Sequence, residues 1–486
     1  MMAPGDDPTD AAGFAAGRRA VVVIVANSPG EVSGWATPVV RSLRALERKV
    51  APAFDGLSLV VVLPPCPFAS GREAEVAGAT AGVDAVVRPS EYVKYALLGV
   101  VPKGLRPFRG NPGIVVHLGG DPMHSAILAK RLAYPAVLYT DRTAGFVGSF
   151  ARFMVEDARV ESKLRRKGVP AEKIAVVGNL MIDAVRAGAA REETRAALAV
   201  EAHAPLVCLL PGSRRVQISR IMPFFLRVAE IVKRFQDDAE FIAVLSPYVT
   251  PSMVGAALSA VRESRPSRDP GQAGGSAGLA ASVKPVPHSG TPGRLEAAGG
   301  RLVPVGGASE PDSEIGARRT YAVRTDEGVT VRLVEDGRYD AMAASDVAVT
   351  LPGTVTAELA FLGVPTVVAV PMNLPEEVPL PGLAGVLGSI PGAGRYLKRV
   401  VVPRALERIE FAAIPNKRQR RMVTPEVRGV IGAQDVAIQV LELLQDGKAR
   451  GRIAVELRQA MGQPGASNRV AEAVLETLVS TGGRRR

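Results

Sequence analysis

The feature that most constrains this chain is a repeated junction. A short apolar run ends in a glycine turn, and a helix-forming stretch follows. Val21-Val22-Val23-Ile24-Val25 stops at Asn27-Ser28-Pro29-Gly30. Leu206-Val207-Cys208-Leu209-Leu210 stops at Pro211-Gly212-Ser213-Arg214-Arg215. Asp346-Val347-Ala348-Val349-Thr350 runs into Leu351-Pro352-Gly353-Thr354. A strand that is apolar at nearly every position must be covered on both faces, the situation of a parallel sheet layered by helices. The junction after such a strand also points backbone N–H groups and a helix N-terminus at any anion lying beyond it.

Further strands are expected at 57–63, 83–87, 114–118, 136–140, 153–155 and 174–177, with helices at 35–48, 122–132 and 158–167. The pattern restarts with a strand at 206–210, a helix at 219–235 and strands at 241–245, 329–334, 347–350, 366–370 and 411–414. The class is therefore α/β: two Rossmann-like, doubly wound domains facing a cleft, with ligands at the carboxyl ends of the strands. The expected division is a disordered lead at 1–18, a first domain at 19–185 and a second at 186–463, then a closing helix and basic tail at 464–486. Residues 262–319 are dense in Gly, Pro, Ser and Ala, and read as a flexible insertion into the second domain. In the closing helix Val470, Ala471, Val474 and Leu478 fall on one face.

The 486 residues suit two domains, and 47% hydrophobic with 5% aromatic suits aliphatic α/β cores. No run of about 18 apolar residues appears, so no membrane span is expected. The first residues are acidic where a secretory signal needs basic ones. Cys66 and Cys208 are the two cysteines, which argues against a disulfide framework or zinc site and fits a cytoplasmic protein. The net charge of +12 suits anionic partners, or simply reflects an arginine-rich proteome. Arg484-Arg485-Arg486 reads as a solvated tail.

Two glycine turns in the second half suggest a diphosphate-bearing ligand, with a nucleotide-sugar the leading candidate. Arg214 would supply a forked, charge-assisted grip on phosphate. Each residue also has a plainer reading. Gly212 and Gly353 could be turn glycines needing positive φ, Arg214 a partner of a surface carboxylate, and Glu358 a first-turn acid favoured by the helix dipole.

Four motifs, in order, resemble lipid-A-disaccharide synthases and, more broadly, GT-B glycosyltransferases. They are Gly30-Glu31-Val32-Ser33-Gly34, Leu209-Leu210-Pro211-Gly212-Ser213-Arg214, the segment carrying Gly353, Thr354, Thr356 and Glu358, and Ile414-Pro415-Asn416 followed by Pro425-Glu426. The resemblance implies a UDP-sugar donor in the second domain and a glycolipid acceptor in the first. It places Arg214 and the Gly212-Ser213 backbone on the diphosphate and Glu358 on the ribose hydroxyls. Gly353, Thr354, Thr356 and Asn416 complete the donor side, and Ser33 and Gly34 face the acceptor. Arg and helix dipoles can stabilise departing UDP in place of a metal ion, and no Asp-X-Asp motif is evident, so neither metal nor cofactor is expected.

Inverting transfer needs a base for the acceptor hydroxyl. Asp121 and Glu31 are the chosen candidates, with His117 and His124 nearby in sequence; Asp121 could equally be a helix N-cap, and Glu31 could help cap the helix that follows. The acceptor half departs from the family: Met123 stands where a family aspartate falls, and Trp35 replaces the aspartate that closes the first loop. Residues 92–109 combine Tyr92, Tyr95, Leu97, Leu98, Val100, Val101 and Phe108 with Lys94, Lys103, Arg106 and Arg109. This is an apolar patch ringed by cations that suits peripheral contact with an anionic membrane, or an ordinary packed helix and loop. Residues 378–397 are a second such stretch. A UDP-N-acetylglucosamine 2-epimerase shares the two-domain plan and a segment like Val177-Gly178-Asn179-Leu180-Met181-Ile182-Asp183, and is the alternative enzyme. A nucleic-acid binder ranks last, because no stacking surface or docking motif is present.

Overall fold

The structure, a computed structural model, describes residues 19–51, 53–264, 295–305, 320–373 and 410–482. The amino-terminal lead, the stretch at 378–397, the arginine tail and most of the expected insertion lie outside them. The chain forms two compact units, one of Met1–Ala184 with Gln463–Arg486 and one of Val185–Gly462.

The first unit holds β1 (Ala20–Val25), β2 (Leu57–Val62), β3 (Ala85–Val87), β4 (Gly113–His117), β5 (Ala136–Thr140), β6 (Arg152–Val155) and β7 (Ile174–Val176). Their order is β3-β2-β1-β4-β5-β6-β7 and every pairing is parallel. The all-apolar β1 is explained by the two cores it separates. Ala20, Val22 and Ile24 face one, and Val21, Val23 and Val25 the other. Each valine so enclosed contributes roughly 1.5–3 kcal/mol relative to exposure. The first core is completed by the helices Thr37–Ala45 and Ala466–Gly482, and the apolar face expected on the closing helix is buried there. Asp183 caps that helix by accepting from the N–H of Gly465 at 2.7 Å and of Ser467 at 2.5 Å.

The second unit holds β8 (Leu206–Leu210), β9 (Glu240–Val244), β10 (Gly300–Val305), β11 (Thr320–Thr325), β12 (Thr330–Val334), β13 (Val347–Thr350), β14 (Thr366–Pro371) and β15 (Glu426–Gly429). Their order is β10-β11-β12-β9-β8-β13-β14-β15. The last six of these neighbours pair in parallel, and β10–β11–β12 form an antiparallel extension. Both sheets thus follow the doubly wound plan. Strand order reverses between β1 and β4 in one unit and between β8 and β13 in the other, and such switch points are where these sheets bind ligands.

Three expectations need correction. Residues 411–414 are not a strand. Ile414 opens the helix Ile414–Gln419, whose first turn accepts Pro415, while the N–H groups of Ala412 and Ala413 are taken by the Glu426 carboxylate. The sheet's last strand is β15 instead. The expected insertion contains β10, paired antiparallel with β11, so part of it is ordered sheet. The helix expected from residue 219 begins at Arg215.

Candidate functional site

In the first unit, the loops after β1 and β4 are clasped by Glu31. Its carboxylate accepts from the N–H of Asn27 at 3.0 Å, of Ser28 at 3.3 Å and of Gly120 at 3.1 Å. Burial raises the Glu31 pKa, and these backbone bonds oppose the rise. The clasp explains two glycines. A Cβ on Gly119 would lie 2.2 Å from the Glu31 carboxyl carbon, and Gly120 has φ +82 with Asn27 packed against it. The chain then winds through a five-residue π-helix, Val32–Ala36, of the kind found at functional sites.

Within that π-helix Gly34 is buried, with the Met181 side chain 3.8 Å from where its Cβ would stand. Its lack of a side chain lets the fold close against Met181. Ser33 is half-buried. Trp35 is 6% exposed, with its ring edge-on to Tyr139 at 5.4 Å. An aspartate in that apolar position would be buried without compensation, so the departure at this position has a packing cause.

Asp121 is exposed at the end of the β4 loop and is the N-cap of the helix Pro122–Leu132, its Oδ1 accepting from the Met123 N–H at 2.9 Å. Its charge acts on three neighbours. His117 is buried, hydrogen-bonded through Nδ1 to the Ser125 hydroxyl at 2.8 Å, and held at a pKa of about 4 by burial, which outweighs Asp121. His124 Nδ1 lies 2.7 Å from the Tyr92 hydroxyl, with its pKa lowered by burial against the pull of Asp121. Tyr92 is pushed up to about 12 by burial and then by Asp121. The structure therefore gathers Asp121, His117, His124 and Tyr92 on one side of the β4 loop. Tyr92 was read from sequence only as part of an apolar patch.

In the second unit, both glycine turns stand at the carboxyl ends of the adjacent strands β8 and β13. Gly212 has φ +109, and a Cβ there would approach Gln217 Oε1 to 2.5 Å. That same oxygen accepts from the N–H groups of Ser213 at 3.0 Å and Arg214 at 3.2 Å, closing the start of the helix Arg215–Phe235. The Ser213 amide expected on a diphosphate is thus already engaged. A Gln three residues after the cap is a recognised capping signal and marks this helix start in the sequence. Arg214 is half-buried at the cap itself.

Gly353 differs from Gly212. It is exposed, its φ lies outside the positive region, and nothing lies within 4 Å of where a Cβ would stand. Thr354 is the N-cap of the helix Val355–Leu362. Thr356 is 2% exposed; its hydroxyl donates to Gly353 O at 2.8 Å and accepts from the Ile414 N–H at 3.1 Å, tying the turn to the helix Ile414–Gln419. Asn416 is fully buried. Its amide donates to Thr424 O at 2.9 Å and Glu426 Oε1 at 2.8 Å, and accepts from the N–H groups of Val423 and Thr424. Thr356 and Asn416 thus brace the loops at this end of the sheet.

Glu358 is 7% exposed and paired with Arg338, Oε1 to Nη2 at 2.9 Å, with the Tyr339 hydroxyl 3.4 Å from the same oxygen. Arg338 also donates to Tyr339, and its guanidinium carbon stands 4.3 Å from that ring's centre. Burial opposes the charge on Arg338, but Glu358 and Tyr339 outweigh it and hold the guanidinium protonated. The sequence reading missed both residues, although the Asp336-Gly337 turn after β12 marks where they enter. Among the described residues, no three His, Cys, Asp or Glu side chains are grouped to hold a metal ion. Among the same residues, no helix is long and apolar enough to cross a membrane.

No protein-family model matches the chain. Its curated relatives carry the name lipid-A-disaccharide synthase, in agreement with the motifs. The protein of Geobacter sulfurreducens is 24% identical over 318 residues, 64% of this chain, and that of Geobacter metallireducens is 25% identical over 426 residues, 82% of this chain and 86% of that protein. The chain spans about three-fifths of two of these relatives, 59% of the Geobacter sulfurreducens protein and 60% of that of Syntrophus aciditrophicus. Among solved structures, the S. aureus MnaA–UDP co-structure matches with a TM-score of 0.50 at 13% identity, covering 95% of this chain and 97% of that one. This agrees with two Rossmann-like sheets of the GT-B type.

Proposed function

We propose that this chain is an inverting glycosyltransferase of the lipid-A-disaccharide synthase kind, moving an N-acetylglucosamine-type sugar from UDP to a lipid-linked acceptor. The observation that carries the reading is the second unit's switch point. Two turns follow the adjacent strands β8 and β13 there, Arg214 standing after the first and the enclosed Glu358 after the second, in a chain whose curated relatives bear that name. The open space over Gly353 admits a phosphate close to the backbone, and Arg214 supplies the countercharge. Glu358, fixed by Arg338, accepts from ribose hydroxyls.

In this reading the acceptor hydroxyl attacks the anomeric carbon from the face opposite UDP. The new C–O bond forms as the bond to the β-phosphate oxygen breaks, UDP leaves with the electron pair, and the hydroxyl proton passes to a carboxylate. Asp121 is the better base. It is exposed, whereas Glu31 is enclosed by three backbone N–H groups. Arg214 and the helix dipole offset the charge developing on UDP, with no metal or cofactor required. Apolar side chains at Leu97, Leu98 and Val100, exposed beside Lys94, Lys103 and Arg106, support peripheral contact with the anionic inner face of the cell membrane.

The test is mass spectrometry of lipids formed when labelled UDP-N-acetylglucosamine meets a membrane extract. A labelled glycolipid that depends on Asp121 is expected. Epimerisation of the donor in the absence of any acceptor would overturn the reading in favour of a 2-epimerase.

A further inference from the structure

At the amino ends of β1 and β4 the first unit has a second concavity, of about 360 Å³, lined by Val21, Tyr95, Val101, Leu105, Phe108, Arg109, Arg131 and Tyr134 among others. It lies roughly 20 Å along the sheet from the Glu31 clasp, six residues at about 3.3 Å each from Val21 to Asn27. It is therefore not part of the site described above. Its floor is apolar, and its lining includes two guanidiniums and no carboxylate.

The two helices that flank it, Pro89–Leu98 and Pro122–Leu132, both end here, and their terminal carbonyls draw cations to this end of the unit. Arg131 answers one of them, donating to Ala96 O at 2.9 Å. The Arg109 guanidinium has no hydrogen-bond or carboxylate partner among the described residues. Tyr95 is 6% exposed, feels the charge of both arginines, and its hydroxyl likewise has no hydrogen-bond partner among the described residues. Tyr134, by contrast, is spent on Asn111 O at 2.7 Å. A phenol acted on by two cations, with its hydroxyl open to the concavity, fits an incoming anion.

What covers the rim decides which anion. Leu97 and Leu98 are each 74% exposed and Val100 is 48% exposed, directly where the helix Pro89–Leu98 turns over at Gly99 into the pocket wall. Water gains nothing from them, and a free phosphate would leave them uncovered. An acyl chain laid along them would bury them.

We infer that this pocket binds an anionic phospholipid of the membrane surface. The lipid phosphate meets Arg109, Arg131 and the Tyr95 hydroxyl, and the proximal chain lies over Val101, Leu105 and the exposed leucines. The lipid is a surface ligand, not the sugar acceptor. This inference rests on the membrane-contact part of the reading above and not on the transferase chemistry.

The test uses the full chain and two probes. With dihexanoyl phosphatidic acid below its micelle-forming concentration, saturable binding is expected. Arg109→Gln should weaken it about tenfold, the loss of one charge-assisted hydrogen bond. Lys94→Gln, on the open surface, should leave that binding unchanged while lowering adhesion to phosphatidylcholine vesicles that contain phosphatidylglycerol. Arg109 anchors nothing in the fold, so its variant stays interpretable if Arg131→Gln is unstable. No saturable binding of the short lipid, or equal losses from Arg109→Gln and Lys94→Gln, would overturn the pocket even if vesicle adhesion survived. Inorganic phosphate binding as tightly as the short lipid would overturn the lipid assignment.

Discussion

The two switch points are built from opposite materials. In the second unit the polar groups at the strand ends are mostly committed to one another: Gln217 to the Gly212 turn, Thr356 to Ile414, Asn416 to Glu426, and Glu358 to Arg338. In the first unit the β4 loop instead leaves one carboxylate, Asp121, exposed to solvent, beside two histidines and a tyrosine on which its charge acts. The first arrangement suits holding a ligand of fixed charge, and the second suits moving a proton. A rigid polar network gives geometry at the cost of adaptability, and an exposed carboxylate gives the reverse.

The sharpest way to break this contrast is at the Arg338–Glu358 pair. Arg338→Gln strands a carboxylate that is 7% exposed, and should cost about 3–5 kcal/mol in urea unfolding. Adding Glu358→Gln should recover part of that loss. A cost under about 1 kcal/mol for the single variant would mean the second unit is not braced as described.

The next effect belongs to the first unit. His117 has a folded pKa of about 4 against 6.5 when unfolded, so the unfolded chain takes up the proton first as pH falls. The stability this contributes is full above about pH 6.5 and is lost between there and about pH 4, up to roughly 3 kcal/mol. His117→Gln should flatten that part of the stability curve between pH 7 and pH 4.5. An unchanged slope would assign it to other groups.

Asp121→Asn keeps the N-cap oxygen but removes the base, so turnover should fall about 10²-fold or more while UDP affinity and melting temperature hold. Matched losses in turnover and stability would make the residue a cap alone. The smallest expected change is at Arg214. Arg214→Ala should weaken UDP binding by about 1.5–3 kcal/mol in calorimetry, and unchanged affinity would remove it from the donor side.

The sheets were legible because their strands are apolar on both faces. β1, β8 and β13 announce themselves with no alternation to interpret. Residues 411–414 misled because Phe411-Ala412-Ala413-Ile414 reads as a short buried strand, whereas Glu426, remote in sequence, captures the N–H groups that a ladder would need. β10 and β11 were hidden by composition, since Gly300 and Pro304 look like loop residues until an antiparallel partner is found. Of the candidate residues, Glu358, Arg214 and Asp121 were picked out by their position at strand-to-helix junctions. Arg338 and Tyr339 were not, because their significance comes from a contact across twenty sequence positions. The internal bonds of Asn416 and Thr356 and the packing of Gly34 on Met181 were not legible either, because their partners lie elsewhere in the sequence.

The helix Ala466–Gly482 packs on the helix Thr37–Ala45, with the Ser42 and Ser467 hydroxyls 3.0 Å apart. The first unit is thus finished only after the second has been made. Until the final helix is made, Val39, Leu43 and their neighbours are uncovered through the synthesis of the entire intervening unit. A nascent chain in that state presents a sticky apolar face for tens of seconds at ordinary elongation rates. Interrupted translation of this protein should therefore yield aggregates rather than a soluble half, and moving the final helix to the front of the chain should relieve the delay.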